Sequence, residues 1–520
     1  MVRGARERGL LAWRGIPYAA PPTGRLRFAG PAAVLPWEGI RDASDYGAIA
    51  PQAIRNPLVY SPVATITADE DCLTVNVHAL ALDDRASTPM PVVVFIHGGG
   101  YSAGSSRDFS GQGEGFVRDG RVVYVSFNYR LGPLGYLDFR RYSTPERAFA
   151  VNVGLRDQVA LLRWVRANIG AFGGAPGNVT VLGASAGGNA VTTLMATPSA
   201  RGLFARAIAQ SPPSNAVYSS SLAAEWAAEY VGILRGIVDG SERRDGDGAG
   251  DRGEGRPGEP GDLGRTPQHL LTAASPDDLV AASAILQVRT PDAHPGTFCL
   301  APVIDGEFLP RHPMRAFRDG DAHRVPLIIG TNDREGAIFR GRVDILPRTP
   351  ERIAALFERA PEGTRPGMRA AYPGLPARRP AADFGGDFGF WFPSTRIADF
   401  HSRYAPAWSY RFDVAPRLLE VLGLDATHGV EMFALFDRSD LALARIMGVL
   451  GGYEAYAEAG DRMRTMWLRF AADAPPDAGW PRYDERDRAT LLIGGQDRVE
   501  LDPRRDRRRA WTRFLHALAG

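Results

Sequence analysis

Short apolar runs alternate with amphipathic segments along most of the 520-residue chain. The runs at 91–97 and 121–130 are continuous and rich in β-branched residues, which is typical of strands buried on both faces of a sheet. Segment 155–174 has apolar residues at helical spacing and ends in glycine, so it predicts a helix. The same patterns predict strands at 179–185, 325–330 and 407–413 and a helix at 189–198. This alternation favours an α/β fold with a large, mostly parallel central sheet flanked by helices.

One segment interrupts the alternation. Residues 239–265 are rich in glycine, proline and charge and contain almost no apolar side chains. A stretch of this composition cannot bury enough surface to offset the entropy lost on ordering. It is therefore predicted to be a flexible surface insertion in a chain whose 520 residues otherwise form a single domain.

The charge balance excludes some classes of partner. The formal net charge is +2, with 44% hydrophobic and 23% charged residues, so neither nucleic acid nor an anionic membrane is strongly attracted. The apolar runs are far shorter than the ~20 residues needed to span a bilayer, so no membrane insertion is expected. The chain contains no lysine, which excludes a lysine base or a Schiff-base mechanism.

The chain has two cysteines, Cys72 and Cys299. Two cysteines in a chain of this length form neither a disulfide framework nor a zinc site, and we expect no metal. Their scarcity predicts a reducing compartment, which indicates a cytoplasmic protein, or a secreted one if the true start lies upstream.

A serine stands among small residues at a predicted strand-to-helix junction. The sequence GASAG, with Ser185 at its centre, matches the G-x-S-x-G pattern of a nucleophile elbow. Such a turn is too tight for bulky neighbours and exposes the hydroxyl at the carboxyl edge of the sheet. A glycine-rich turn without a catalytic role has the same letters, so the motif alone is weak.

A second motif strengthens this interpretation. The sequence HGGG at 97–100 directly follows the strand at 91–97. Glycines there leave backbone N–H groups free to face an oxyanion. Gly99, Gly100 and Ala186, the residue after the serine, are the predicted donors.

A triad also needs an acid and then a histidine further along the chain. The histidines His401, His428 and His516 lie late enough. We prefer His428, because it stands beside a glycine in a predicted loop, whereas the other two lie in helix-like segments. Asp333 and Glu335 both follow the strand at 325–330, and their spacing does not separate them as the acid.

Several longer stretches together resemble one family. They are WRGIPYAAPPTGRLRF at 13–28, EDCLTVNV at 70–77, NVTVLGASAGG, GTNDREG and THGVE. In this order they resemble the type-B carboxylesterases, which also include the cholinesterases and the neuroligins. The similarity runs from about residue 2 to about residue 514 and implies the α/β-hydrolase fold. It also implies a cofactor-free serine carboxylesterase acting on a small-molecule ester.

The resemblance assigns roles to individual residues. It makes Ser185 the nucleophile, His428 the base and Glu335 the acid, and it matches Ser211 to a serine that hydrogen-bonds near the triad. The family usually pairs the cysteine of EDCL with a cysteine at the position of Ala50. Cys72 lacks that partner, so it is expected to be a buried free thiol.

The substrate is less constrained. Cholinesterases carry a tryptophan shortly before EDCL that binds a quaternary ammonium. Tyr60 is the only aromatic residue in the corresponding stretch, so a choline ester is disfavoured. Short or medium acyl or aryl esters are expected instead. The candidate pocket residues are Tyr101, Phe298, Phe390 and Trp391. Two alternatives remain, a catalytically silent binding module like the neuroligins and a lipase of the same family.

Overall fold

The structure, a computed structural model, describes residues 1–7, 9–53, 66–81, 88–108, 113–246, 266–339, 345–438 and 441–516. Its centre is an eleven-stranded sheet, whose strands are numbered here in chain order. They are β1 (Ala5–Glu7), β2 (Leu10–Pro17), β3 (Thr74–Leu80), β4 (Met90–Ile96), β5 (Val123–Phe127), β6 (Gly174–Ala184), β7 (Arg206–Gln210), β8 (Leu327–Asn332), β9 (Ala407–Phe412), β10 (Ala489–Ile493) and β11 (Arg498–Leu501).

The strands lie in the order β1-β2-β3-β5-β4-β6-β7-β8-β9-β10-β11. Strands β4 to β10 are parallel to one another, and antiparallel pairs extend the sheet at both ends. At the centre, Val94 pairs with Val125 on one side and Val181 on the other, and all three are fully buried. Burial on both faces explains the continuous apolar runs. The predicted α/β-hydrolase architecture is confirmed.

Helices cover both faces of the sheet. They are α1 (Glu114–Gly120), α2 (Gly132–Tyr136), α3 (Val153–Asn168), α4 (Ala186–Met195), α5 (Ser220–Gly246), α6 (Pro267–Ala273), α7 (Pro276–Ala293), α8 (Pro313–Asp319), α9 (Pro350–Arg359), α10 (Arg365–Ala371), α11 (Arg378–Gly386), α12 (Phe392–His401), α13 (Arg417–Val421), α14 (Val430–Leu435), α15 (Ala442–Met447), α16 (Tyr453–Ala471) and α17 (Arg505–His516). Side chains of β4 alternate between two apolar cores, with Val92 and Val94 in one and Val93 and Phe95 in the other.

Two predicted helices have different bounds. The helix predicted at 155–174 ends as an α-helix at Asn168, and a 3₁₀ turn at 169–172 leads into β6 at Gly174. The helix predicted at 189–198 begins already at Ala186, directly after the serine. Two glycines in its first turn have low helix propensity, which hides the start from a pattern-based prediction.

Helix α5 includes residues 239–246, the first part of the predicted insertion. That part is therefore helical, as a continuation of the helix that begins at Ser220. Residues 247–265 and Tyr60 lie outside the described residues. Among the helices that the structure does describe, none has the length and apolar composition to cross a membrane.

Candidate active site

Ser185 occupies the turn between β6 and α4 with φ 58° and ψ −123°. This conformation is unfavourable for a residue with a side chain and costs about 1–3 kcal/mol. Two backbone hydrogen bonds hold it: the N–H of Ser185 donates to the Gln210 carbonyl at 2.9 Å, and its carbonyl accepts from Asn189 at 2.9 Å. The strained turn leaves Ser185 partly exposed among buried neighbours.

Close backbone packing explains the small residues around Ser185. A Cβ atom on Gly98 would lie 2.7 Å from the Ala184 carbonyl oxygen, and one on Gly187 would overlap the Ile96 carbonyl. The HGGG loop and the serine turn therefore touch through their backbones. The two glycine motifs are parts of one packed junction at the ends of β4 and β6.

The loop after β4 has three consecutive residues with positive φ: Gly99 at 105°, Gly100 at 61° and Tyr101 at 57°. The Gly99 carbonyl accepts from the N–H groups of Ser102 and Ala103 at 3.1 and 3.0 Å, which closes the turn. Gly99 and Gly100 line one cavity together with Ser185 and Ala186. The predicted oxyanion-hole donors are thus brought to the serine.

Glu335 lies behind His428. Its Oε2 is 2.5 Å from Nδ1 of His428, while its Oε1 accepts from Ser211 Oγ at 2.6 Å and from the Asn332 N–H at 2.7 Å. Glu335 is 3% exposed, so these three short contacts to the carboxylate are shielded from water. His428 lines the same cavity as Ser185.

The other candidates for base and acid have different partners. Asp333 pairs with Arg504 at 2.6 Å instead of facing the cavity. His401 is buried, and its Nε2 lies 2.8 Å from the Val325 carbonyl oxygen. His516 lies in α17, and its side chain is outside what the structure describes. Only the pair Glu335 and His428 is placed beside the serine turn among the candidates whose side chains are described.

The electrostatics of the pair favour a basic imidazole. Burial by itself lowers the pKa of His428, but the charge of Glu335 and the hydrogen bond to it act in the opposite direction, and Glu431 adds to them. The balance raises the pKa of His428 above its ordinary value of about 6.5. The imidazole can therefore hold a proton that it takes from a neighbouring hydroxyl.

Glu431 is a site residue that the sequence analysis missed. It is buried, lines the cavity, and accepts a hydrogen bond from the Asn332 side chain, while its Oε1 has no hydrogen-bond partner. Burial and the neighbouring Glu335 raise the pKa of Glu431 to about 7. Its position three residues after His428, in the motif THGVE, was the available signal.

The cavity has a volume of about 690 Å³ and a mostly apolar lining. One wall combines Phe298, Phe339, Ile345 and Phe390, which pack together. The Phe390 ring lies against the His428 imidazole with a centroid distance of 4.4 Å. The site is thus a mostly apolar pocket that also contains Ser185 and His428.

Three of the four predicted pocket residues, Tyr101, Phe298 and Phe390, line the cavity, whereas Trp391 does not. Residues Asp387–Trp391 form a π-helical turn, and successive side chains on a helix point in different directions. Trp391 packs in a separate apolar cluster, with the Arg504 guanidinium 5.5 Å from its ring centroid. Its place in the predicted pocket was therefore wrong.

Both cysteines are free and buried. Cys72 is fully buried, as predicted, and burial raises the pKa of its thiol. Cys299 lines the cavity, where burial raises the pKa of its thiol to about 12. Neither thiol is a thiolate at neutral pH, so neither competes with Ser185 as a nucleophile.

A mostly parallel sheet with a strained serine at a strand-to-helix turn, a buried Glu–His pair and a glycine loop defines an α/β-hydrolase with a triad-type site. The family model described as the carboxylesterase family matches residues 1–355. The chain belongs to this family.

Individual relatives agree with this placement. The para-nitrobenzyl esterase of Bacillus subtilis (strain 168) is 32% identical and aligns over 98% of this chain and 96% of its own length. The phenmedipham hydrolase of Pseudarthrobacter oxydans is 30% identical over 95% and 93% of the two chains. A solved structure of a thermophilic pNB esterase superposes with a TM-score of 0.82 and 31% identity, covering 98% and 97% of the two chains.

Proposed function

We propose that the protein is a serine carboxylesterase in which Ser185, His428 and Glu335 act as a catalytic triad. The observation that carries this proposal is the 2.5 Å contact between His428 Nδ1 and Glu335 Oε2 beside the strained Ser185 turn. A serine hydroxyl is a poor nucleophile unless a base takes its proton. The Glu–His pair supplies that base in the same cavity.

In the first half of the reaction, Ser185 Oγ attacks the ester carbonyl carbon and its proton passes to Nε2 of His428. Glu335 holds the imidazole through Nδ1 and stabilises the imidazolium. The carbonyl oxygen becomes an oxyanion facing the N–H groups of Gly99, Gly100 and Ala186. The C–O bond to the alcohol then breaks, and the alkoxide leaves with the proton from Nε2.

In the second half, water replaces the alcohol. His428 takes a proton from the water as its oxygen attacks the acyl-enzyme carbonyl, and the same N–H groups bind the new oxyanion. The bond to Ser185 Oγ breaks, and His428 returns its proton to the serine. The carboxylic acid is released, and the enzyme is ready for another cycle without a cofactor.

We propose neutral esters of short or medium acyl or aryl groups as substrates. The cavity-lining residues that the structure describes include no arginine, so a carboxylate on the substrate would find no guanidinium partner among them. The aromatic wall suits an aryl or acyl group. The relative named for para-nitrobenzyl esters supports this substrate size.

The test is Ser185→Ala assayed with p-nitrophenyl acetate and with a fluorophosphonate probe. We expect hydrolysis to fall by about 10⁴-fold or more and the covalent label to disappear, because triad members act as a unit. Circular dichroism should stay unchanged. Near-parental hydrolysis by the variant would refute the proposal, and an unlabelled parent protein would favour a silent binding module.

We also propose that the protein works in a reducing compartment, the cytoplasm. Its two cysteines are free thiols buried in the fold and are not paired with each other. Such thiols require no oxidising environment for folding. Fractionation of producing cells with an antibody against the protein is the direct test, and recovery mainly from the medium would contradict it.

A further inference from the structure

Tyr101 is the one residue with a side chain in the left-handed run at 99–101 of the oxyanion loop. Its φ of 57° is uncommon for a bulky residue, so the surrounding structure must hold it. The ring stacks on Tyr136 with a centroid distance of 4.0 Å, and its hydroxyl donates to Asn189 Oδ1 at 2.6 Å. Tyr101 therefore fixes the loop that follows the two donor glycines.

Asn189 connects this loop to the rest of the site. Its own N–H donates to the Ser185 carbonyl at 2.9 Å, one helical turn into α4. Its side-chain amide donates to the Pro213 carbonyl at 2.8 Å. Pro213 stands two residues after Ser211, which donates to Glu335. Asn189 thus contacts the serine turn through its backbone N–H, and its side-chain amide contacts the oxyanion loop and the segment that supports the acid.

We propose that Asn189 and Tyr101 form a positioning latch, which holds the N–H groups of Gly99 and Gly100 at the oxyanion. The proposal rests on the proposed esterase function. Glycines allow many backbone conformations, so the loop needs an external constraint to keep its donors in place. Asn189 is fully buried and Tyr101 is 3% exposed, so their hydrogen bond is shielded from competing water.

A latch of this kind acts on the transition state. The oxyanion exists only after the serine has attacked, so misplaced donors slow the chemical step without weakening substrate binding to the same extent. Tyr101→Phe keeps the ring and removes the hydroxyl. We expect kcat for p-nitrophenyl butyrate to fall between about 10- and 100-fold, with KM changed by less than about threefold.

Two further variants separate the latch from general destabilisation. Asn189→Ala should lower kcat to a similar extent. The double variant Tyr101→Phe/Asn189→Ala removes both the hydroxyl and the amide of this hydrogen bond. Neither group is then left buried without its partner. Because the two side chains act as one unit, the double variant should lose no more than about threefold beyond the worse single variant.

The matched control is Tyr136→Phe. Tyr136 stacks on Tyr101 and its hydroxyl accepts from Gln158 at 3.2 Å, so it is also a buried tyrosine hydroxyl, but it does not contact Asn189. We expect kcat of this variant within about twofold of the parent value. Thermal unfolding of all variants shows which of them are folded at the assay temperature.

A second readout reports on the oxyanion directly. Ser185 Oγ adds to the carbonyl carbon of a trifluoromethyl ketone, and the ketone oxygen then lies in the oxyanion hole as an oxyanion. The alcohol product forms no such bond. The latch variants should bind the ketone about 10- to 100-fold more weakly and the alcohol product equally well.

Tyr101→Phe with parental kcat, or with only a raised KM, overturns the latch, and so does an equal loss in Tyr136→Phe. Each of these results would leave the expected inactivity of Ser185→Ala unchanged. The latch proposal and the esterase proposal are therefore tested separately.

Discussion

The environments of Asp333 and Glu335 decide which of the two carboxylates can act as the acid. Both carboxylates follow β8, but Asp333 binds Arg504 and Glu335 binds His428. Spacing in the sequence could not separate them, because the answer depends on a histidine 93 residues later and on Arg504, directly before α17. The family resemblance indicated Glu335, and the structure places Glu335 at the histidine.

The first prediction concerns the charge of Glu335. His428 must be neutral to act as a base, so kcat/KM should fall as the pH drops through its raised pKa. Glu335→Gln removes the main group that raises this pKa, and burial then lowers it. We expect the acid limb of the pH profile to move to lower pH and the plateau to fall by about 10²–10⁴-fold.

The pH profile is measured as kcat/KM from pH 5 to 9 at constant ionic strength. Asp333→Asn is the matched control, since this neighbouring carboxylate pairs with arginines outside the cavity. Its acid limb should stay near the parental position. An unmoved acid limb in Glu335→Gln would show that Glu335 does not set the charge of the base.

At the level of elements, the π-helical turn Asp387–Trp391 joins the pocket to the C-terminal helix. Asp387 is buried and accepts from Tyr372 at 2.6 Å and from Arg504 and Arg507 at 3.0 Å each. Arg504 also pairs with Asp333 after β8. One guanidinium therefore ties the loop that carries the acid to the turn that carries Phe390.

The second prediction tests this tie. Arg504→Met leaves Asp387 buried with one cation fewer and removes the closer of the two arginine partners of Asp333. Breaking such a buried pair costs about 3 kcal/mol of unfolding free energy. Arg505→Met is the control, because Arg505 is 59% exposed and its ion pair should contribute less than about 1 kcal/mol. Urea unfolding at pH 7 measures the free energy of unfolding of both variants. Equal losses would show that Arg504 does not link the two segments.

The same turn marks the limit of prediction from sequence. Strands and helices could be predicted because apolar runs and helical spacing depend on local sequence and burial. Phe390 and Trp391 are adjacent and both aromatic, yet only Phe390 lines the cavity. A π-helical turn is set by tertiary contacts, here those of Asp387, and no local pattern encodes it. Glu431 was missed for a similar reason, since its role depends on burial beside Glu335.

For the whole molecule, five histidines couple stability to pH. Burial lowers the pKa of His78 to about 3 and that of His97, His312, His323 and His401 to about 4. In the unfolded chain each titrates near 6.5, so the unfolded state binds more protons below that pH. Their contribution to stability is therefore complete above pH 6.5 and is lost as the pH falls toward 4. The raised pKa of His428 acts in the opposite direction.

His78 on β3 provides the sharpest test of this coupling. Neither of its ring nitrogens has a hydrogen-bond partner, so His78→Leu removes no bond and adds apolar packing. Each histidine contributes a slope of about 1.4 kcal/mol per pH unit between pH 5 and 6. We expect His78→Leu to be as stable as the parent at pH 7. As the pH falls from 6 to 5, its free energy of unfolding should decrease less steeply than that of the parent, by about this slope. The slope for His401→Leu should be reduced by the same amount, but this variant should be less stable than His78→Leu at every pH, because it gives up the bond to the Val325 carbonyl. Urea unfolding at pH 5, 6 and 7 measures both, and parallel curves for His78→Leu and the parent would refute the coupling.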